Sequence, residues 1–393
     1  MRTVLNVFLL VSVSFISGTM VTYFFFVEYP KLKQGEAIVK SITGKPGSGA
    51  NGAPVLPPKV PGTVMEPDPY AQTPAVSDPQ KVLTAQPEEA GEIIDLLRTQ
   101  FINASALISQ QLSPDTLNDL LAKYGDKAKI SETALMTADP KAKTILQTLS
   151  QNNVVYWRPA DFSSKEQDNF LKQWDTLKAG NPKGLIIDVR NFRDGNNLAG
   201  AAWVIGLFTS PQDVLFSVEG LNFPQQLFRS QHQPLDLKQN FPILVLVNGD
   251  TRGAAEALAF VLKQKGTAIV IGRRTAGEGG LFTETRLKSG RFIRLATAQI
   301  SGFDGSNLLG TPLVPDIQVE VTKQADNEAY YGAYRYGIQN VASARAMDRG
   351  LVKEREEMDL PLDNSLIDDK TPHDMILNTA NDVLAGIVLS QGK

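Results

Sequence analysis

The chain has 393 residues, of which 42% are hydrophobic and 21% charged, and its formal net charge is −3. This composition is typical of a globular body with a sizeable core, and the charge balance provides no basic field of the kind that binds nucleic acid. The absence of cysteine excludes disulfides and thiol chemistry, although it does not identify a compartment. The sequence carries no zinc-binding or nucleotide-binding pattern, so we expect neither a metal nor a cofactor.

The amino terminus, residues 1–30, has the pattern of a transmembrane signal anchor. Residues 4–27 are uncharged and mostly apolar, and this stretch is long enough to cross about 30 Å of hydrocarbon as a single helix. Arg2 precedes this stretch, and charged residues resume at Glu28. A removable signal peptide would have a shorter apolar region and a small-residue cleavage site, so an uncleaved anchor is the favoured interpretation.

Residues 31–88 are predicted to be a disordered linker. Proline and glycine are dense from residue 41 onward. Such a composition cannot bury a core and tends to extended, polyproline-like conformations. We therefore expect a tether with a reach on the order of 100 Å, at about 3 Å per residue.

Residues 89–152 are predicted to be a small helical subdomain. Apolar residues recur at helical spacing around Ile93 and Leu97. They recur again around Leu117 and Leu121, after a Ser113-Pro-Asp start that is typical of a helix N-terminus.

Between residues 153 and 322 the pattern changes to short apolar runs separated by helical segments. The runs lie at residues 185–189, 242–247 and 268–271. A capping pattern, Ser163-x-x-Glu166, opens one predicted helix, and Gly266 stops another. Continuous apolar strands that alternate with helices imply a sheet covered on both faces, so the predicted fold class is α/β.

Four segments of this core form a set of motifs: YWRPADF at residues 156–162, KGLIIDVRN at 183–191, the strand end, helix and glycine-rich loop at 247–280, and GTPLVPD at 310–316. Together these motifs resemble those of the tail-specific, or carboxyl-terminal processing, proteases. The resemblance implies a ClpP/crotonase-like ββα spiral core. It also implies a serine nucleophile, a lysine that activates it and a glutamine that orients the lysine. Many members carry a PDZ module before the core, and the interval here is too short to hold one.

The family's catalytic side chains are missing at the matched positions. Carried over without gaps, the serine falls on Gly253, the lysine on Glu278 and the glutamine on Phe282. Acyl transfer by this route needs an oxygen nucleophile and a base that accepts its proton, and glycine provides no side chain. The resemblance also assigns the former oxyanion-hole backbone to Asp194, Gly195 and Ala254, where an aspartate opposes an accumulating negative charge.

Thr251 is the one hydroxyl close to the missing nucleophile. It lies two residues before Gly253, at a position that does not carry the nucleophile in the relatives. The more natural role for this threonine is to cap the helix that follows.

The remaining residues, 323–393, are predicted to form a polar insertion and an amphipathic helix over residues 374–389. The insertion contains a tyrosine cluster formed by Tyr330, Tyr331, Tyr334 and Tyr336. These tyrosines form either a partner surface, because tyrosine is favoured in interface hot spots, or a cover for the core of the insertion.

These features favour a membrane-anchored pseudoprotease that holds a peptide or protein partner, or an active family member, without cutting it. Two alternatives stay open: a serine-type peptidase that uses Thr251, and binding of a small apolar ligand near Leu281, Phe282 and Phe303. The resemblance places a single-pass anchor, residues 4–27, in the inner membrane and the body in the periplasm or another extracytoplasmic space. No nucleic acid partner is expected, and association between copies of the chain stays open.

Overall fold

The computed structural model describes residues 9–13, 21–25, 83–107, 112–135, 142–192, 195–221, 223–343 and 372–391. The chain divides into two compact units, Met1–Pro67 and Asp68–Lys393.

The described part of the first unit is a pair of short strands. Strand β1 (Leu9–Val13) runs antiparallel to β2 (Val21–Phe25). These residues therefore differ from the continuous helix predicted over residues 4–27, and valine, threonine, tyrosine and phenylalanine within them favour extended backbone. No helix among the described residues is both long enough and apolar enough to cross a membrane. The rest of the predicted span lies outside the described residues.

The second unit alternates helices and strands. In chain order its elements are α1 (Ala90–Gln100), α2 (Pro114–Tyr124), β3 (Ala128–Ser131), β4 (Ile145–Leu149), β5 (Val154–Arg158), α3 (Ser164–Ala179), β6 (Leu185–Asp188), α4 (Leu198–Gly206), β7 (Val214–Gly220), β8 (Phe223–Arg229), β9 (Ile243–Val247), α5 (Ala254–Gln264), β10 (Ile269–Gly272), β11 (Gly280–Arg286), β12 (Phe292–Gly302), β13 (Ile317–Gln318), α6 (Lys323–Tyr336), α7 (Ile338–Ser343) and α8 (Met375–Gln391).

Two predicted boundaries need correction. The linker was predicted to reach residue 88, but the buried Ala85 already donates its N–H to the Asn118 side chain at 2.7 Å, so residues 83–88 belong to the folded unit. The segment 89–152 was predicted to be helical, yet it also contributes β3 and β4 to sheets. Both strands are only four or five residues long; β3 is a strand through its pairing with the distant β12, and β4 through a hairpin with β5. The remaining residues of the predicted linker lie outside the described part.

A six-stranded sheet forms the centre of this unit, in the order β13-β10-β9-β6-β5-β4. All neighbours in it are parallel except β4 and β5. Val155 and Trp157 of β5 face one buried cluster with residues of α3, α4 and α5, whereas Val154 and Tyr156 face another with residues of α7 and α8. The predicted α/β class, with a sheet covered on both faces, is confirmed.

A second, antiparallel sheet positions the candidate site. Its order is β11-β12-β7-β8, and β3 also pairs with β12. A third buried cluster packs α1 and α2 against β11 and β12. The chain passes from β9 through a turn into α5, and later from β10 through a glycine-rich loop into β11. These two connections bring the predicted site residues together.

Candidate functional site

The turn between β9 and α5 is held by Thr251. Its hydroxyl accepts a hydrogen bond from the N–H of Asn248 at 3.0 Å and donates one to the carbonyl oxygen of Val189 at 2.9 Å. The side chain is fully buried. Thr251 therefore ties the turn to the end of β6 and does not cap α5 as predicted, because Gly253 occupies the cap position. Both hydrogen-bonding functions of the hydroxyl are engaged, which leaves it poorly suited to serve as a nucleophile.

Gly253, the position predicted to correspond to the nucleophile, lies against another stretch of backbone. It has φ of +52° and ψ of −112°, a conformation that side chains rarely adopt. A Cβ atom added there would lie 2.5 Å from the carbonyl oxygen of Gly195 and 2.6 Å from its Cα. The place where a serine side chain would begin is thus filled by Gly195.

The predicted oxyanion hole is closed by a hydrogen bond within the chain. The N–H of Ala254, the first residue of α5, donates to the carbonyl oxygen of Gly195 at 2.9 Å. A donor engaged in this way does not point at a substrate, so it provides no electrostatic stabilisation for an oxyanion. Asp194, the third residue of the predicted hole, lies outside the described residues.

Glu256 clamps the glycine-rich loop to the start of α5. One carboxylate oxygen accepts from the N–H of Gly277 at 2.6 Å and from the Thr275 hydroxyl at 2.5 Å. The other accepts from the N–H groups of Glu278 at 2.8 Å and Gly253 at 3.2 Å. Burial raises the pKa of Glu256 from 4.5 to about 7, although these hydrogen bonds favour its charged form. Glu256 is therefore a structural clamp between both halves of the site.

Glu278, the position predicted to correspond to the lysine, is an acid held between two arginines. Its carboxylate contacts the guanidinium groups of Arg252 and Arg294 at 2.5 Å each. Burial alone would raise the pKa of Glu278, but the charges of Arg294 and Arg252 outweigh it and leave that pKa below its ordinary value. Arg252 also reaches Asp250 at 3.1 Å. An ionised carboxylate fixed by two cations is a poor general base.

Phe282, the position predicted to correspond to the glutamine, packs under a cation. The guanidinium of Arg294 lies 3.6 Å from the centre of the Phe282 ring. Leu281 packs against the cluster around β5, whereas Phe282 belongs to the cluster under α1. Phe303 is 39% exposed beside Lys265. The three apolar residues predicted near a ligand therefore do not line a common apolar pocket.

A buried ionic cluster lies next to the turn and fastens the C-terminal helices. Arg190 is fully buried and donates to Asp188 at 2.7 Å, to Asp326 of α6 at 3.1 Å and to Asp374 at 2.8 Å. Asp374 in turn accepts from the N–H of Leu377 at the start of α8. The two arginines Arg190 and Arg158 outweigh the effect of burial and hold the pKa of Asp188 at about 2.

This cluster connects to the site through Asn248. The Asn248 amide donates to Asp326 at 2.7 Å, and its backbone N–H donates to Thr251. Burial raises the pKa of Asp326 in spite of the neighbouring Arg190. The turn before α5 and the start of α8 are therefore parts of one hydrogen-bonded network.

The predicted tyrosine cluster lies on α6, and its members have different environments. Tyr330 is buried, and the Arg158 guanidinium lies 3.9 Å from its ring centre, so this residue belongs to the core and not to a partner surface. Tyr334 is half-buried and its hydroxyl bonds the backbone of Lys143. Tyr331 and Tyr336 are also half-buried. The cover role is the better description of Tyr330, and the partner role of the other three stays a prediction.

The structure adds site residues that the sequence did not indicate. Arg252 and Arg294 neutralise Glu278, and Asn196 contacts the backbone of Phe282. An acid at a matched lysine position is the one signal that could have suggested nearby cations. In the described part of the chain, no group of three or more histidine, cysteine or acidic side chains could hold a metal ion.

Comparisons with known proteins agree with the motif resemblance. Residues 153–319 match the sequence profile of Peptidase family S41. The chain is 29% identical over 241 residues to a carboxy-terminal-processing protease of Bartonella bacilliformis, covering 60% of this chain and 53% of that protein. It is 25% identical over 183 residues to the carboxy-terminal processing protease CtpA of Bacillus subtilis, covering 47% and 38%.

Solved structures of similar proteins include a photosystem II D1 C-terminal processing protease. It is 22% identical, with a TM-score of 0.37, and the match covers 50% of this chain and 48% of that one. The chain spans about half, or less, of the length of the two curated relatives above. The region at residues 153–319 is therefore similar to peptidase family S41, and carboxy-terminal processing proteases are among the relatives of this chain.

Proposed function

We propose that this protein is a pseudoprotease of the tail-specific family, which binds a peptide or protein partner without hydrolysing it. The observation that carries the proposal is the packing of Gly195 against Gly253. The backbone of Gly195 fills the space that a nucleophile would need, and its carbonyl oxygen accepts a hydrogen bond from the N–H of Ala254. A nucleophile and an oxyanion donor are thereby lost together, and both contribute to acyl transfer.

The surroundings of Glu278 support the same proposal. A lysine base works only when its neutral form is accessible near neutral pH, and this position instead holds an acid between two arginines. The alternative of a relocated nucleophile at Thr251 has little support, because that hydroxyl is buried and bonded on both sides. The small-ligand alternative lacks a shared apolar pocket at Leu281, Phe282 and Phe303.

The setting of the protein is part of the proposal. The uncharged stretch at residues 4–27 supports attachment to a membrane, with the body on the extracytoplasmic side. A peptide, another protein or an active relative is the proposed partner, and association between copies is compatible with it. Fractionation of cells, followed by protease accessibility of the body in intact spheroplasts, tests this arrangement.

Activity-based labelling tests the absence of catalysis. The full-length chain, purified in detergent, is incubated with a fluorophosphonate probe and separately with an unfolded polypeptide, beside the Bacillus subtilis relative as a positive control. We expect no covalent label and no fragments from this chain. Labelling or cleavage that Thr251→Ala abolishes would show instead that Thr251 is a relocated nucleophile, and the proposal would be wrong.

A further inference from the structure

The side chain of Asn196 is bound to the backbone of strand β11. Its amide nitrogen donates to the carbonyl oxygen of Phe282 at 3.2 Å, and its amide oxygen accepts from the Phe282 N–H at 3.4 Å. Both bonds join the same residue, so one side-chain amide pairs with β11 as a peptide group of a neighbouring strand would. Among the described strands, β11 is paired on its other side with β12 and with no further strand.

This pairing has the character of a contact that can be displaced. Asn196 is exposed, and both bonds lie at or beyond the long end of the range of about 2.7–3.2 Å for N–H···O bonds. By contrast, the edge of β4 is capped by Gln339, which bonds Thr148 and Ser150 from α7. Helix α7 is anchored in the core by Ile338 and Val341, so that cap is fixed by packing.

The residue before Asn196 occupies a second backbone group. The carbonyl oxygen of Gly195 accepts a hydrogen bond from the N–H of Ala254 at the start of α5. If residues 195 and 196 withdrew, three groups would become free together: the N–H of Ala254 and both the N–H and carbonyl of Phe282. Two donors and one acceptor, distributed along a strand edge and a helix start, match the backbone of an extended polypeptide.

We infer that the outer edge of β11 is the groove where an extended segment of a partner polypeptide adds as a strand, and that Asn196 is an internal competitor for it. The inference rests on the proposed function and gives it a place and a partner class. The occupant is a polypeptide, because the groups at the edge are those that another peptide backbone satisfies, and because the amide now bound there already has that chemistry. Strand addition provides affinity through backbone bonds and places few demands on sequence.

Removal of the competitor tests the inference. The probe is reduced, carboxymethylated α-lactalbumin, a permanently unfolded polypeptide, labelled with fluorescein and followed by fluorescence anisotropy with the full-length chain in detergent. We expect Asn196→Ala to lower the Kd by about five- to thirty-fold, since two hydrogen bonds no longer compete with the probe. Gln339→Ala is the matched control, because it removes an amide from another strand edge, and its Kd should equal that of the wild type.

Hydrogen–deuterium exchange locates the binding. In Asn196→Ala the amides of residues 280–286 should exchange faster than in the wild type, and the probe should slow them again, whereas those of β8 should not respond. An unchanged Kd for Asn196→Ala, an equal gain for Gln339→Ala, or protection at β8 in place of β11 would overturn the inference. Gel analysis of the probe separately reports cleavage, so failure of the pseudoprotease proposal is distinguishable from failure of this one.

Discussion

Replacement of Gly253 by alanine should destabilise the protein more than the same replacement at Gly125. The two glycines have almost the same backbone conformation: φ is +52° at both, and ψ is −112° at Gly253 and −127° at Gly125. Both lie beside a helix end, in the same compact unit. Their surroundings differ, because an added Cβ at Gly125 meets no heavy atom within 4 Å, whereas at Gly253 it meets Gly195 at 2.5 Å.

The comparison separates two energies. The strained backbone costs any side chain about 1–3 kcal/mol, and this cost is shared by both variants. Overpacking against Gly195 adds about 1–3 kcal/mol at Gly253 alone, because backbone atoms cannot rotate away as the end of a side chain can. We therefore expect a loss of about 1–3 kcal/mol for Gly125→Ala and about 2–6 kcal/mol for Gly253→Ala.

Urea denaturation of both variants and the wild type measures these losses. The free energies of unfolding come from linear extrapolation, and equal slopes against urea would show that the unfolded states are comparable. Equal losses for the two variants would refute the reasoning, because Gly195 would then not occupy the space beside Gly253. Gly253→Ser should behave like Gly253→Ala and remain unlabelled by a fluorophosphonate, and labelling of it would refute the reasoning from a second direction.

Three further predictions concern the charged groups. Because the pKa of Glu256 is raised from 4.5 to about 7, the folded state binds more protons than the unfolded state between these pH values. The stability of the wild type should therefore fall relative to that of Glu256→Gln as the pH rises from 4.5 to about 7. A difference in urea midpoint between the two proteins that does not change with pH would contradict this. Arg190→Met should cost about 3–5 kcal/mol of unfolding free energy and expose α8 to limited proteolysis, since Asp326 and Asp374 lose their buried cation and Asp188 keeps only Arg158. Its control, Lys178→Met, breaks an ion pair whose acidic side chain is 93% exposed, so the free energy of unfolding should stay close to that of the wild type; equal losses for the two variants would contradict the structural role of Arg190. Glu278→Lys restores the residue type of the relatives but puts a third cation beside two arginines. We therefore expect a lower thermal midpoint of unfolding and no labelling by the fluorophosphonate probe. A variant that is more stable than the wild type, or that is labelled, would contradict the ionic arrangement.

The central fold could be predicted because its strands carry an unambiguous pattern. Runs such as residues 243–247 are apolar at every position, which is typical of strands buried on both faces, and Gly266 marks the end of α5 in sequence and structure alike. The strands β3 and β4 were missed because they are short; in addition, β3 is defined by its pairing with β12, which is distant in the chain, whereas β4 forms a hairpin with β5. The half-buried sheet of β11 and β12 was missed for a similar reason, since its pairing depends on register rather than on local hydrophobicity.

The sequence predicts which catalytic side chains are missing from the candidate site, but not the contacts that its residues make. The motif positions of Gly253, Glu278 and Phe282 follow from ungapped spacing, so the loss of three side chains is visible in the sequence. The contacts that replace these side chains are not visible in the sequence, because the approach of Gly195 to Gly253 and the pairing of Glu278 with Arg294 are tertiary contacts. A helix-capping role for Thr251 was wrong for the same reason, since its hydroxyl bonds a neighbouring strand end and not the helix.

The contact between Gly195 and Gly253 also bears on how this lineage can evolve. In the proposed pseudoprotease, a gain of hydrolysis would need a new side chain at one glycine, retreat of the backbone at the other and removal of an acid from between two arginines. We expect each of these steps to cost stability when it is taken alone. No single substitution at these positions is therefore expected to turn the proposed binder into a hydrolase.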